Sequence, residues 1–393
     1  MTVTLLDLIL VFVVLVFVAA GFARGVWATV GGAAGFMVGA TAAFFSIPLV
    51  AAWMPDSPWR VVAVIGCAIV LVVAGHALGS AAGAEVQRMF RSPTIRTVSA
   101  LIGAVVNLAV AFVVIAALSF SVQAMGFPQV NHHMKQSAVL QGINQAMPDR
   151  VESMFADVRS HVLASDIPEI AQLLVPEAED APAAGELTEA ASATTQSVAR
   201  ITGVAQQCGQ SQFGSGVALS PNRVMTNAHV VAGVSEPSVE MPDGQIATAR
   251  VVHFDTSKDL ALLAVDTLDA PPAQVGGAMD RNADGYVMGY PSGGPFVAGP
   301  AVVQARDVSQ VNNIYGASAS ELEIYQLNAD VRRGNSGGPL VDRDGNVAGI
   351  VFARALEGDA VGFAVTVDAA GEAMTNPDAF TDTVSTGQCL DRS

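Results

Sequence analysis

Positive charge is scarce in this chain. Its 393 residues carry 19 Lys and Arg against 35 Asp and Glu, a formal net charge of −16, and Lys135 and Lys258 are the only lysines. A surface that grips a phosphate backbone must be basic, so nucleic acid is not expected as a partner. Charge of either sign is thin, at 14% of residues, while 51% are apolar. That average hides a split: roughly the first 125 residues are membrane-like, and the acidic residues gather after them. Cysteine occurs only three times. His132 and His133 stand together without a third ligand nearby, which argues against a metal centre and leaves them as exposed polar residues.

What is present begins with four apolar stretches, residues 2–22, 27–48, 61–83 and 98–121. Each is long enough to cross a hydrocarbon core of about 30 Å as a helix. No Lys or Arg precedes the first, and three more follow it, so it is expected to be a span and not a cleaved leader. Arg88, Arg91 and Arg96 crowd the third link and Arg24 marks the first, whereas the second holds Asp56 and a lone Arg60. The positive-inside rule then places both ends of the chain, and everything after residue 125, outside the cytoplasm. Gly31, Gly35 and Gly39 in the second span, and Gly75, Gly79 and Gly83 in the third, form smooth stripes suited to close helix packing in lipid. Asp7, His76 and Asn107 are polar residues inside spans. They form no recognisable relay and are expected to make structural hydrogen bonds.

Residues 126–175 read as an amphipathic helical stem. Residues 137–147 run up to Pro148, and Val151, Met154, Phe155 and Val158 then share one helical face. Residues 176–197, rich in Ala, Glu, Pro and Thr, read as a flexible acidic linker. Cys67 falls in the third span as a small apolar residue. Cys208 and Cys389 bracket the last domain, residues 198–393. In an oxidising compartment they should pair, closing a loop of about 180 residues worth about 5 kcal/mol in the chain-entropy model.

The chemistry centres on Gly334-Asn335-Ser336-Gly337-Gly338-Pro339-Leu340. A Ser in a tight glycine turn is an exposed nucleophile, and the N–H groups of Gly334 and Ser336 can converge on an oxyanion. A base and its orienting carboxylate lie upstream, as His229 in Thr226-Asn227-Ala228-His229-Val230 and Asp259 in Asp259-Leu260-Ala261-Leu262. Asp255 and Asp266 are rival carboxylates without that context. The order His…Asp…Ser is that of two-barrel enzymes, not of subtilisins or α/β-hydrolases.

These residues resemble the trypsin-like serine proteases, and within them the bacterial HtrA-like group, which writes the same elements as GSG, TNxHV, DLA-L and GNSGGPL. The N-terminal part resembles the colicin V production protein (CvpA) family, through an early Asp, an Arg-Gly step after the first span and the glycine-striped helices. The combination looks like the actinobacterial membrane-anchored serine proteases of the MarP type. That resemblance implies a four-helix transmembrane α-helical domain (1–125), the stem (126–175), the linker (176–197) and an all-β chymotrypsin-like double β-barrel (198–393). It also implies protein or peptide substrates in the cell envelope, a lipid bilayer around the helices, no cofactor, and work under acid or oxidative stress.

Substrate choice is less determined. Asp330 lies six residues before Ser336, where trypsin-like enzymes floor the S1 pocket, yet Arg332 and Arg333 could neutralise it. Phe352 and Phe363 are candidates for the pocket walls and equally for barrel core. No PDZ-length segment is expected after the protease. Asn335 stands where many digestive relatives carry an Asp that pairs with a newly cut N-terminus. A neutral amide cannot compensate a buried ammonium, so it should instead hold the loop by hydrogen bonds available in the uncut chain. The competing reading is a catalytically silent peptide-binding, scaffold or transport membrane protein.

Overall fold

A computed structural model describes residues 4–53, 58–89, 92–123, 134, 137–146, 167–170, 174–175, 186–208, 210–356 and 360–390. It divides into two compact units, Met1–Leu118 with Ser137–Gln145, and Ser119–Gln136 with Ala146–Ser393.

The first unit is helical. The first two expected spans are the two helical segments of α1 (Leu5–Trp53), which meet at Gly25, whose φ of 74° and ψ of 172° are not helical. Arg24-Gly25 is thus the short link between the two segments. With α2 (Pro58–Met89) and α3 (Pro93–Gln123), three helices are long and apolar enough to cross a membrane, among the described residues. The two glycine stripes meet each other. A Cβ on Gly35 would fall 2.1 Å from the Gly75 carbonyl oxygen, and one on Gly79 2.1 Å from that of Gly31. Backbones this close admit no side chain, and small residues are how helices gain packing contact where lipid offers no hydrophobic drive. Gly21 meets Gly103 of α3 in the same manner. The polar residues of the spans bond across helices: Asn107 donates to the Phe17 carbonyl at 3.0 Å, and His76 Nδ1 lies 3.1 Å from that of Gly32. Asp7 accepts from Thr4, from Ser137 Oγ at 2.5 Å and from Val139 N at 3.0 Å, so it sits at the start of α4 (Ala138–Ala146). Unpaired N–H groups at a helix start favour a carboxylate there. The expected helical face at Val151–Val158 and the pair His132–His133 lie outside the described residues.

The second unit holds two seven-stranded sheets. The first comprises β2 (Val198–Ala205), β3 (Gln210–Ser220), β4 (Arg223–Thr226), β5 (Ser238–Glu240), β6 (Ile246–Thr248), β7 (Arg250–Asp255) and β8 (Leu260–Ala264), in the order β6-β5-β2-β3-β4-β8-β7. The second contains β9 (Asp284–Gly289), β10 (Val297–Asn312), β11 (Ala319–Asn328), β12 (Pro339–Asp342), β13 (Val347–Ala355) and β14 (Val361–Thr366). A β13–β14 pairing closes these six into a ring, and the short β1 (Glu169–Ile170) joins the outside of β13 in parallel. Strand runs such as Leu260–Ala264 are buried along their whole length because they face core on both sides. One apolar cluster carries Val217, Met225 and Leu262 of the first sheet together with Ile350, Phe352 and Phe363 of the second, so the two sheets share a core.

Two expectations are corrected here. Residues 186–197, assigned to the flexible linker, are folded onto the second sheet. Thr188 caps α5 (Glu189–Thr194) by accepting from Ala191 N, and its hydroxyl donates to the Arg343 carbonyl. Ala191 is fully buried among Tyr286, Met288 and Val341. Ala and Thr look like linker by composition, but a Thr cap and an Ala small enough to enter a packed layer turn the same residues into structure. The far end of the stem, expected to be helical, supplies the strand β1, since the open edge of β13 offers its backbone partners.

Candidate active site

His229 lies on α6 (Ala228–Val231), the single turn after β4. Asn227, at the start of that turn, donates through Nδ2 to the Asp259 carbonyl at 2.7 Å. Asp259 itself adopts a φ of +53°, which costs a non-glycine residue energy and is held by its surroundings. Its two carboxylate oxygens divide the work: Oδ1 accepts from His229 N at 2.9 Å and Oδ2 lies 2.6 Å from His229 Nδ1. The carboxylate therefore fixes both the helical turn and the ring, and leaves Nε2 as the ring's free nitrogen for proton transfer. Both residues are buried. Asp266 instead pairs at the surface with Arg250, and Asp255 caps its own turn at Ser257 and Lys258.

Ser336 belongs to the turn before β12. Its Oγ is buried and has no hydrogen-bond partner among the described residues. Gly334 and Gly337 have φ of +92° and +83°. A Cβ on Gly334 would lie 2.4 Å from the Tyr290 carbonyl oxygen, and one on Gly337 2.2 Å from that of Ser215, so both positions need glycine twice over. Among the described residues no hydrogen bond takes the N–H of Gly334 or of Ser336, whereas Asn335 N is bonded to the Arg332 carbonyl at 3.0 Å. Two unclaimed donors flanking an unclaimed hydroxyl are what an oxyanion would use. The Asn335 amide oxygen accepts from Arg332 N at 3.1 Å, so the loop is tied by a neutral side chain within the chain itself.

Ser215 had no role in the sequence reading, although it is the middle letter of Gly214-Ser215-Gly216. Its hydroxyl donates to the Gly334 carbonyl at 2.6 Å and accepts from Tyr290 N at 2.9 Å, and its own N–H donates to the Ser336 carbonyl at 2.8 Å. Its carbonyl takes the Thr226 hydroxyl at 2.7 Å, three residues before His229. This one buried residue of the first sheet thus binds the loops that carry Ser336 and His229. A Ser between two glycines was the available signal, but its partners lie far away in sequence.

For the candidate pocket residues the structure takes the core and surface alternatives that the sequence left open. Phe352 and Phe363 are 1% and 0% exposed in the core shared by the two sheets, and a side chain closed off there cannot line an open pocket. Asp330 is half-exposed and held by Arg332 in a bidentate pair, Nη2 to Oδ2 at 2.6 Å and Nε to Oδ1 at 3.0 Å. A carboxylate already compensated by its own loop is not an unpaired charge on a pocket floor. Cys208 and Cys389 are joined in a disulfide with Cα atoms 6.5 Å apart.

Comparison with known proteins places this geometry. Residues 214–350 match the family model described as a trypsin-like peptidase domain, and residues 6–148 match that of the colicin V production protein. The serine protease Rv3671c of Mycobacterium tuberculosis is 33% identical over 316 residues, covering 78% of this chain and 79% of its own. A putative serine protease, HhoB of Synechocystis, is 32% identical over 169 residues, 42% of this chain and 39% of its own. The crystal structure of the active form of the Rv3671c protease, 35% identical, covers 56% of this chain and all of that one, with a TM-score of 0.49.

Proposed function

This chain belongs to the serine protease family that includes Rv3671c, and from that premise we propose that Ser336, His229 and Asp259 carry its catalysis. The protein is a membrane-associated serine endopeptidase. Ser336 Oγ attacks the scissile carbonyl while His229 Nε2 takes its proton and returns it to the leaving amine. Asp259 keeps the proton of the neutral ring on Nδ1 and stabilises the imidazolium. The N–H groups of Gly334 and Ser336 receive the developing oxyanion, a donor pair of which each member is worth about 3–4 kcal/mol in related chemistry. The observation that carries this reading is the 2.6 Å contact between His229 Nδ1 and Asp259 Oδ2 in the same unit as a buried, unbonded Ser336 hydroxyl. Because Asn335 already ties the loop, the site forms without N-terminal processing.

The finer reading concerns place and substrate. The Arg88, Arg91 and Arg96 link faces the cytoplasm, the protease domain lies outside it, and its substrates are envelope proteins met under acid or oxidative stress. The disulfide, which persists in oxidising compartments, supports that placement. We assign the domains as membrane helices to about residue 125, a stem, and a protease unit whose folded part already starts near Glu186. A fluorophosphonate probe tests the chemistry on the full-length chain in detergent under oxidising conditions. The wild type labels at Ser336 and Ser336→Ala does not; an unlabelled wild type favours the silent peptide-binding alternative. Reporter fusions after Met125 and within the Arg88–Arg96 link test the orientation.

A further inference from the structure

The open edge of β13 runs directly away from the nucleophile. Val351 is bonded to the residues just after Ser336 in both directions, Gly337 N to the Val351 carbonyl at 2.8 Å and Val351 N to that of Gly338 at 2.9 Å. Beyond Val351 the β12 pairing has ended, and the next backbone groups on that edge belong to residues up to Leu356. At about 3.3 Å per residue they lie within roughly 10–17 Å along the strand from the Ser336 turn. An extended peptide delivered to Ser336 has this edge to pair with, because unpaired strand edges accept a further strand through main-chain bonds.

That edge is filled by the chain's own stem. Arg354 N donates to the Pro168 carbonyl and Leu356 N to the Ile170 carbonyl, each at 3.1 Å. Arg354 grips Glu169 through Nη2 at 2.5 Å and Nε at 3.2 Å. Ile167 is 5% exposed and belongs to an apolar cluster with Val331 and Val351, one from the loop before Ser336 and one from β13. A second hold lies nearby. The fully buried Gln326 accepts from Leu174 N at 2.6 Å and Val175 N at 3.1 Å, and donates to the Val175 carbonyl at 2.8 Å. The pairing is parallel. An antiparallel peptide would bring its C-terminal end toward Ser336; β1 points the other way and fills the edge without offering a bond to cut.

We propose that residues 167–170 are a built-in occupant of the substrate edge, tethered at Leu174–Val175, and that the protease accepts extended peptides bearing an acidic side chain opposite Arg354, in the place Glu169 holds. This rests on Ser336 being the nucleophile. Glu169 is the chain's own mimic of the residue to be recognised: two guanidinium donors of Arg354 converge on one oxygen of its carboxylate, Oε1, a charge-assisted hold. A substrate must displace the occupant, so the occupant raises KM and leaves kcat alone.

The test uses the full-length chain in detergent, with Ile167→Asp to expel the segment. Two matched peptide libraries are offered, one carrying Glu and the other Gln at successive positions before the cleaved bond. For Ile167→Asp we expect KM to fall about tenfold at constant kcat, the factor equivalent to about 1.4 kcal/mol and within what burial of one aliphatic side chain supplies. A synthetic peptide of residues 165–176 should inhibit this variant competitively. Glu-containing peptides should outcompete their Gln partners, and Arg354→Glu should reverse that order. Fluorophosphonate labelling, with a probe too small to need the edge, is recorded for every variant. If all variants label while KM and the Glu preference stay as in the wild type, the occupant does not exist although the protease does. If none labels, the nucleophile assignment itself fails.

Discussion

Replacing Ser215 by Ala removes the hydroxyl that holds the Ser336 loop at Gly334 and leaves its backbone bonds to Ser336 and Thr226 in place. The change removes a single oxygen, yet that oxygen serves the Gly334 carbonyl at 2.6 Å and Tyr290 N at 2.9 Å. Both partners lie where water does not reach, and a buried group left without its bond costs about 1–3 kcal/mol, so the pair sums to roughly 2–6 kcal/mol. For a domain of this size 1 kcal/mol moves the midpoint by about 2–4 °C, which gives a fall of roughly 4–24 °C. Activity should suffer further. Once Gly334 is no longer held by its carbonyl, its N–H loses its aim, and loss of one oxyanion donor lowers kcat by about 10²–10³. The assay heats the full-length protein briefly and then reads peptide turnover and fluorophosphonate labelling. Ser220→Ala is the control, since the Ser220 hydroxyl bonds Asp378 at 2.7 Å and Asn222 at 3.5 Å, away from the site loops. If Ser215→Ala loses activity at the same temperature as the control, with the same turnover, then the Ser215 hydroxyl does not hold the Ser336 loop and the reasoning fails.

Cys208→Ser should lower stability by up to about 5 kcal/mol, as the chain-entropy model gives for so long a loop, and reductant should have the same effect on the wild type; equal inactivation temperatures with and without reductant would speak against it. Gly79→Leu should disrupt the membrane helices, because even its Cβ would meet the Gly31 carbonyl oxygen at 2.1 Å, whereas Gly66→Leu enters open space and should be tolerated; thermal aggregation in detergent separates the two. His253 is pushed below the ordinary imidazole value by burial, with Asp255 opposing the shift and Lys258 adding to it. Its folded form therefore prefers the neutral ring. That contribution to stability is intact above about pH 6.5 and is lost as pH falls through the lower folded value, so His253→Gln should flatten the acid limb of a stability profile. An unchanged limb would assign the acid sensitivity elsewhere.

Sequence alone was enough where function needs fixed residue types at short range. A nucleophile turn requires glycine at 334 and 337 because of φ and space, and the base and carboxylate carry their own local contexts, so the three catalytic candidates were legible one by one. The glycine stripes were legible because a helix repeats its face every few residues, and a period shows in a string. Pairing of Cys208 with Cys389 followed from compartment and position.

Tertiary structure decided everything that depends on which distant groups meet. Asp330 reads as a pocket floor by its spacing from Ser336, and only the fold shows Arg332 turned back upon it. Phe352 and Phe363 read as wall or core alike until both sheets close over them. Residues 186–197 have the composition of a linker, but a cap costs only one Thr and a buried position only one Ala, neither of which alters composition. Ser215 and the β1–β13 pairing escaped for the same reason: each reaches backbone groups more than 100 residues away, which every residue carries. Local chemistry is written in side-chain identity, whereas a backbone hydrogen bond has no letter of its own, so its partner is set only when the chain has folded.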